Sequence, residues 1–221
     1  GFAEQLEFDE ALEAVGVLDE FTQMPTLSQI RESLSARRLE IDGLNLRKCT
    51  SIPSLDQRCG QYLKFRDLIQ CGETQSRLGI PNLPLNPETY NALYSLSTQV
   101  LDPVIDYFGA VRLTYGFCSP TLASKISSRV APKLDQHASH ECNRQGKAIC
   151  DRLGAAADFI IEDEDMIEVA QWIADNLIFD RMYLYGRNKP IHISLSQSPS
   201  KLVTFMVSTP KGRLMPRSCS T

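Results

Sequence analysis

Apolar positions follow two periodicities along this chain, and the switch between them predicts its elements. Phe2, Leu6, Leu12, Val15 and Leu18 recur at mixed helical spacing, and residues 27–39 continue in the same style beyond Pro25. Two helices are predicted there. From Ile41 to Gln61 periodic apolar residues are few, and Gly43, Pro53 and Gly60 punctuate the run. This stretch reads as a linker and places the domain boundary at its end, with residues 1–60 as a helical extension and linker.

Helical spacing returns over residues 62–71. Asn86-Pro87-Glu88-Thr89 supplies an N-cap with proline at the first helical position, opening a helix toward Phe108 that Pro103 kinks or interrupts. Residues 110–117 read as a strand and 120–130 as a helix. Residues 155–161 are apolar and short, bounded by Gly154 and by Glu162-Asp163-Glu164-Asp165, as expected of a buried strand. An amphipathic helix over 165–177 buries Ile167, Val169, Ala170, Ile173 and Leu177. Three strands are then predicted over residues 180–185, 189–196 and 202–208, the second with period two, and a Gly186-Arg187-Asn188-Lys189 turn suits a hairpin. Helices first and a strand meander later predict an α+β domain, an antiparallel sheet flanked by helices, over residues 61–212, with 213–221 as a tail.

Composition narrows the function classes. A chain of 221 residues with 43% apolar content supports one sizeable core with an appendage. A formal charge of −4 argues against a nucleic-acid partner, which calls for a basic footprint. No apolar run reaches membrane length. Seven cysteines, Cys49, Cys59, Cys71, Cys118, Cys142, Cys150 and Cys219, form an odd set without CxxC spacing, which points to free thiols in a reducing cytoplasm. A Cys142–Cys150 pair within one segment is the alternative. The start at Gly1 rather than Met suggests a piece of a longer chain, whose other domains are expected partners.

Histidine carries the candidate chemistry. The chain has three, and His137 and His192 bracket the run Gly154-Ala155-Ala156-Ala157-Asp158-Phe159. Two imidazoles and a carboxylate make a three-ligand zinc site with the fourth position open. Alternation along 189–196 puts His192 and Ser194 on one side and Ile191, Ile193 and Leu195 on the other, so Asp158 and His192 converge if their strands are neighbours. The small residues from Gly154 to Ala157 allow close approach to the backbone. His140 is a rival first ligand. The bland alternative has His192 as a hydrogen-bonded strand histidine and Asp158 closing a turn.

The elements Asp135-Gln136-His137, Gly154-x-Ala156-x-Asp158 and Pro190-Ile191-His192-Ile193-Ser194 resemble those of the hedgehog and D-Ala-D-Ala metallopeptidases. In that family zinc is held by Ser-x-His, by the Asp of Gly-x-Ala-x-Asp, and by a His on a later strand. The resemblance extends to Gly79-Ile80-Pro81-Asn82-Leu83-Pro84 and to Thr114-Tyr115-Gly116-Phe117-Cys118-Ser119-Pro120, and covers roughly residues 61–209. It implies a zinc peptidase or amidase with one zinc ion on His137, Asp158 and His192, acting on a peptide-like substrate that includes D-amino acids.

Three departures shape the expected chemistry. The family's loop arginine aligns with Cys118, and a thiol supplies no bidentate cation. The family's acid before the last ligand falls among Lys189, Pro190 and Ile191, none of which is a carboxylate base. An insertion over residues 138–153 separates the first histidine from Asp158. If the insertion is helical, His137, His140 and Glu141 share a face and Glu141 could orient the attacking water as a replacement acid. Cys118, Ser119, His140, Tyr183 and Tyr185 are the expected substrate contacts, the tyrosines as oxyanion donors. A second reading keeps the metal for shape and binds a protein partner without turnover.

Overall fold

The computed structural model describes residues 51–126, 132–208 and 214–219. The expected N-terminal helices and residues 127–130 of the expected 120–130 helix lie outside them; the described part of the latter is helical only to Ala123. The described part is α+β, with a six-stranded, mostly antiparallel sheet in the order β1-β2-β4-β3-β5-β6. Its strands are β1 (Arg112–Tyr115), β2 (Ala155–Ile160), β3 (Arg181–Leu184), β4 (Ile191–Leu195), β5 (Leu202–Ser208) and β6 (Leu214–Cys219). The helices in chain order are α1 (Phe65–Ile69), α2 (Glu73–Leu78), α3 (Pro87–Leu96), α4 (Asp102–Phe108), α5 (Pro120–Ala123) and α6 (Met166–Asn176).

Two observations correct the expected boundaries. The segment assigned to a tail contains β6, which pairs antiparallel with β5 from Val203↔Cys219 to Ser208↔Leu214. Its apolar residues, Leu214 and Met215, are exposed at a sheet edge, so no alternation of burial announces a strand. At the other end, Cys59 is fully buried and its N–H donates to the Leu63 carbonyl at 2.8 Å. Asp102 accepts from the Gln61 N–H at 2.7 Å, and a β-carbon on Gly60 would fall 2.6 Å from the same carboxylate. Residues 51–60 therefore belong to the domain and not to a linker.

Local chemistry explains the helices. Asn86 Oδ1 accepts from the Glu88 N–H at 3.0 Å, with Pro87 opening α3, as the cap signal predicts. The helix continues through a π-helical turn, Ser97–Leu101, into α4. Proline lacks an N–H and its ring crowds the carbonyl one turn back, so the widened turn ahead of Pro103 absorbs both without breaking the rod. Asp165 caps α6 by accepting from the Ile167 N–H, and the buried stripe is Met166, Val169, Ala170, Trp172 and Ile173.

The sheet is not a simple meander. β2 and β3 occupy both edges of β4, so β5 continues past β4 and pairs parallel with β3. Ala155, Ala157, Phe159, Ile191, Ile193, Met182 and Leu184 are buried on one face, where α3 lies against β2 and β4, and α6 against β3. The register then sends Asp158, His192 and Tyr183 to the opposite face.

Candidate metal centre

Asp158 on β2 stands directly across from His192 on β4, which stands across from Tyr183 on β3. Cross-strand partners share a face with their β-carbons about 5 Å apart, so the pairing alone brings the carboxylate to the imidazole. His192 Nδ1 lies 2.8 Å from Asp158 Oδ1. His137 arrives from the other side, on a 3₁₀ turn, Gln136–Ala138, where Asp135 Oδ1 accepts from the His137 N–H. Its Nε2 lies 3.1 Å from His192 Nδ1 and 3.2 Å from Asp158 Oδ1.

The tautomer of His137 follows from its other nitrogen. Nδ1 lies 2.7 Å from the Gly116 carbonyl oxygen, which only accepts, so Nδ1 carries the hydrogen and the neutral ring aims a bare Nε2 at the other two ligand atoms. One potential ligand atom from each of His137, Asp158 and His192 lies within 4.8 Å of the others, and a cation there would replace the proton that His192 Nδ1 shares with Asp158 Oδ1 at 2.8 Å. Ligand atoms held about 2.0 Å from a tetrahedral ion lie about 3.3 Å apart. The spacings of 2.8, 3.1 and 3.2 Å fit that set. Zinc suits two imidazoles and one carboxylate, and nickel, cobalt or iron accept the same donors.

Electrostatics favour positive charge at this point. Burial favours the neutral form of His137, but the charge of Asp158 outweighs it and the imidazole pKa is raised. Burial likewise works against ionising Asp158, yet His137 and His192 hold its carboxyl well below the usual range. The carboxylate is therefore anionic and matched to a cation.

Aromatic rings wall the two histidines. Tyr115 meets the His137 ring edge-on at 4.5 Å between centroids, and Tyr183 meets His192 at 5.3 Å. Tyr185 follows on the same face. Burial, with the charge of Asp158, pushes its hydroxyl up to about 12, so it stays a neutral donor.

The other expected site residues have different work. Glu141 does not share a helical face with His137, because the turn ends at Ala138 and Ser139 takes φ 50°. Its Oε1 instead accepts from the Leu85 N–H and the Asn86 N–H, each at 3.1 Å, and from the Thr89 hydroxyl at 2.9 Å. That is a buried clamp at the start of α3. His140 Nε2 accepts from the Gly154 N–H at 3.3 Å, four residues before Asp158 along an extended chain, or about 13 Å. Cys118 is buried against Leu122 and Ala123, and its N–H donates to the His137 carbonyl at 2.9 Å. Ser119 caps α5 through Leu122. Of these four, Cys118 bonds directly to His137; Tyr183 stands beside His192. Cys71, Cys142 and Cys150 are free thiols.

Sequence reasoning missed Gly116 and Asn82. Asn82 donates to the carbonyls of Ile69 and Phe117 at 2.7 and 2.8 Å and accepts from the Ser119 N–H at 2.7 Å, fixing the loop that presents the Gly116 carbonyl. A β-carbon on Gly116 would lie 2.0 Å from the Leu68 carbonyl oxygen. Their place in the two stretches flanking the site was the available signal. Among the described residues, no helix is long and apolar enough to cross a membrane. No family model matches the chain, and neither a curated protein nor a solved structure matches it.

Proposed function

We propose that this domain is a zinc-dependent peptidase or amidase of the hedgehog and D-Ala-D-Ala metallopeptidase type, hydrolysing a short peptide that can include D-amino acids. The observation that carries the reading is the convergence of His137 Nε2, Asp158 Oδ1 and His192 Nδ1 with a fixed His137 tautomer. A bound zinc supplies Lewis acidity toward a scissile carbonyl and makes water a competent nucleophile near neutral pH. The chain's own residues do the rest. The Gly116 carbonyl holds the proton on His137 Nδ1, Asp158 brings the negative charge that favours a cation, and the Tyr183 and Tyr185 hydroxyls offer donors on the same face for a developing oxyanion. The free thiols of Cys71, Cys142 and Cys150 support a reducing compartment such as the cytoplasm as the site of this activity.

One observation favours a second reading, a metal-binding interaction module without turnover. The carboxylate of Glu141 is committed to α3, so it supplies no general base.

Elemental analysis of the purified chain beside His192→Ala tests both, followed by release of D-alanine from a peptide ending in D-Ala-D-Ala, with and without chelator. The expected result is about one zinc per chain, lost on substitution, and release that the chelator stops. Zinc without turnover selects the interaction module. No metal in either sample refutes both.

A further inference from the structure

We infer that the side-chain amide of Gln136 sets the spacing of the three ligand-bearing segments and so tunes the affinity and geometry of the metal centre; the inference rests on the metal site proposed above. Gln136 is 1% exposed and its amide has three partners in three places. Nε2 donates to the Leu153 carbonyl at 3.1 Å and to Asp180 Oδ2 at 3.0 Å, while Oε1 accepts from the Ser194 hydroxyl at 2.8 Å.

Each partner belongs to the surroundings of a different ligand. Gln136 itself precedes His137 on the 3₁₀ turn. Leu153 leads into β2, which carries Asp158. Ser194 shares its face of β4 with His192, because Ala156↔Ser194 and Asp158↔His192 are alternate pairs of one register, with Ala157↔Ile193 between them. One amide thus ties the turn, β2 and β4 together.

Asp180 makes the tie rigid. It is fully buried, and its carboxylate accepts from Arg152 Nε at 2.8 Å and from Arg152 Nη2. The Ser200 N–H and hydroxyl donate to it at 3.0 and 2.8 Å, and the Asp180 N–H donates to the Ser194 carbonyl at 2.7 Å. Burial opposes its ionisation, but Arg152, Ser200 and Gln136 together hold the carboxyl at about 2. A charged, saturated acceptor leaves the Gln136 amide no second orientation. Arg152 comes from the insertion over residues 138–153, which gives that segment a role: it closes the network behind the ligands. Both amide hydrogens are used, so Gln136 is a positioning residue and not a catalytic one. Metal sites need ligands held to within about 0.5 Å, and loss of such support costs about ten- to a hundredfold in affinity.

The test compares the unaltered chain with Gln136→Leu, Ser194→Ala and Thr89→Val, the last a control that removes a buried hydrogen bond to Glu141. Zinc affinity is measured by competition with a chromophoric chelator, and geometry by the visible absorption of the cobalt(II)-loaded protein. Gln136→Leu is expected to weaken zinc binding by about ten- to a hundredfold and to alter the cobalt spectrum. Ser194→Ala should move both the same way by a smaller factor, and Thr89→Val neither. Unchanged affinity and spectrum in Gln136→Leu, or in Ser194→Ala should Gln136→Leu not fold, overturns the inference and leaves the metal site standing. Failure of the unaltered chain to bind either ion overturns the site and the inference together.

Discussion

Replacing Glu141 separates a structural carboxylate from a catalytic one. Its Oε1 receives three hydrogen bonds, from the Leu85 and Asn86 N–H groups and the Thr89 hydroxyl, at the positive end of α3. Glu141 is 5% exposed and Thr89 is fully buried, so Glu141→Ala strands the hydroxyl and leaves the two N–H groups to whatever water reaches them. Each buried, unsatisfied donor costs roughly 1–3 kcal/mol. With Leu85 itself exposed, a total of about 3 kcal/mol is expected. Glu141→Gln keeps an oxygen in place and loses mainly the charge that favours a helix N-terminus, about 0.3–1 kcal/mol. For a domain of this size 1 kcal/mol moves Tm by about 2–4 °C. The alanine variant should therefore melt about 6–12 °C lower and the glutamine variant about 1–4 °C lower, both with zinc retained. Circular dichroism melts in chelator, together with zinc content, check this. An unchanged Tm in Glu141→Ala refutes the clamp. Loss of peptide hydrolysis in Glu141→Gln, with Tm and zinc preserved, would make Glu141 the proton carrier after all.

Two further outcomes follow from the same geometry. In chelated protein the lowered Asp158 pKa gives stability that is complete above its unfolded value of about 3.9 and is lost as pH falls through the folded value. The raised His137 pKa gives stability complete below about 6.5 and lost as pH rises through the folded value. The urea midpoint of the unaltered chain minus that of Asp158→Asn should therefore be largest between these limbs, and zinc affinity should fall as acid protonates His137; a difference flat in pH contradicts the pairing. Gly154→Ala should disrupt the β2–β4 pairing and release zinc, because Gly154 has φ 80° and a β-carbon there would lie 2.1 Å from the Leu195 carbonyl oxygen. Retention of zinc at unaltered affinity by titration would show that the strands tolerate the insertion.

Much of the local structure was legible because its causes are local. The Asn86-Pro87 start of α3, the Asp165 start of α6 and the alternation that turns His192 away from Ile191 and Ile193 each depend on neighbours a few residues apart. The sequence determined which residues could hold a metal, because histidines are scarce and Asp158 and His192 each interrupt a short apolar strand segment. It did not determine β6, whose exposed apolar residues carry no burial signal, nor the parallel β3–β5 pair, which follows from both edges of β4 being taken.

Tertiary structure alone decided the roles of Glu141, His140 and Gln136. Glu141 and His140 follow His137 closely, and a helix would have gathered them at one site. A left-handed backbone at Ser139 instead sends them toward α3 and Gly154. Gln136, without charge or motif, reads as an ordinary polar residue until Leu153, Asp180 and Ser194 surround it. Hydrogen-bond partners far apart in sequence meet only when the sheet fixes its register, so a side chain's chemistry is written in the chain while its work is assigned by the fold.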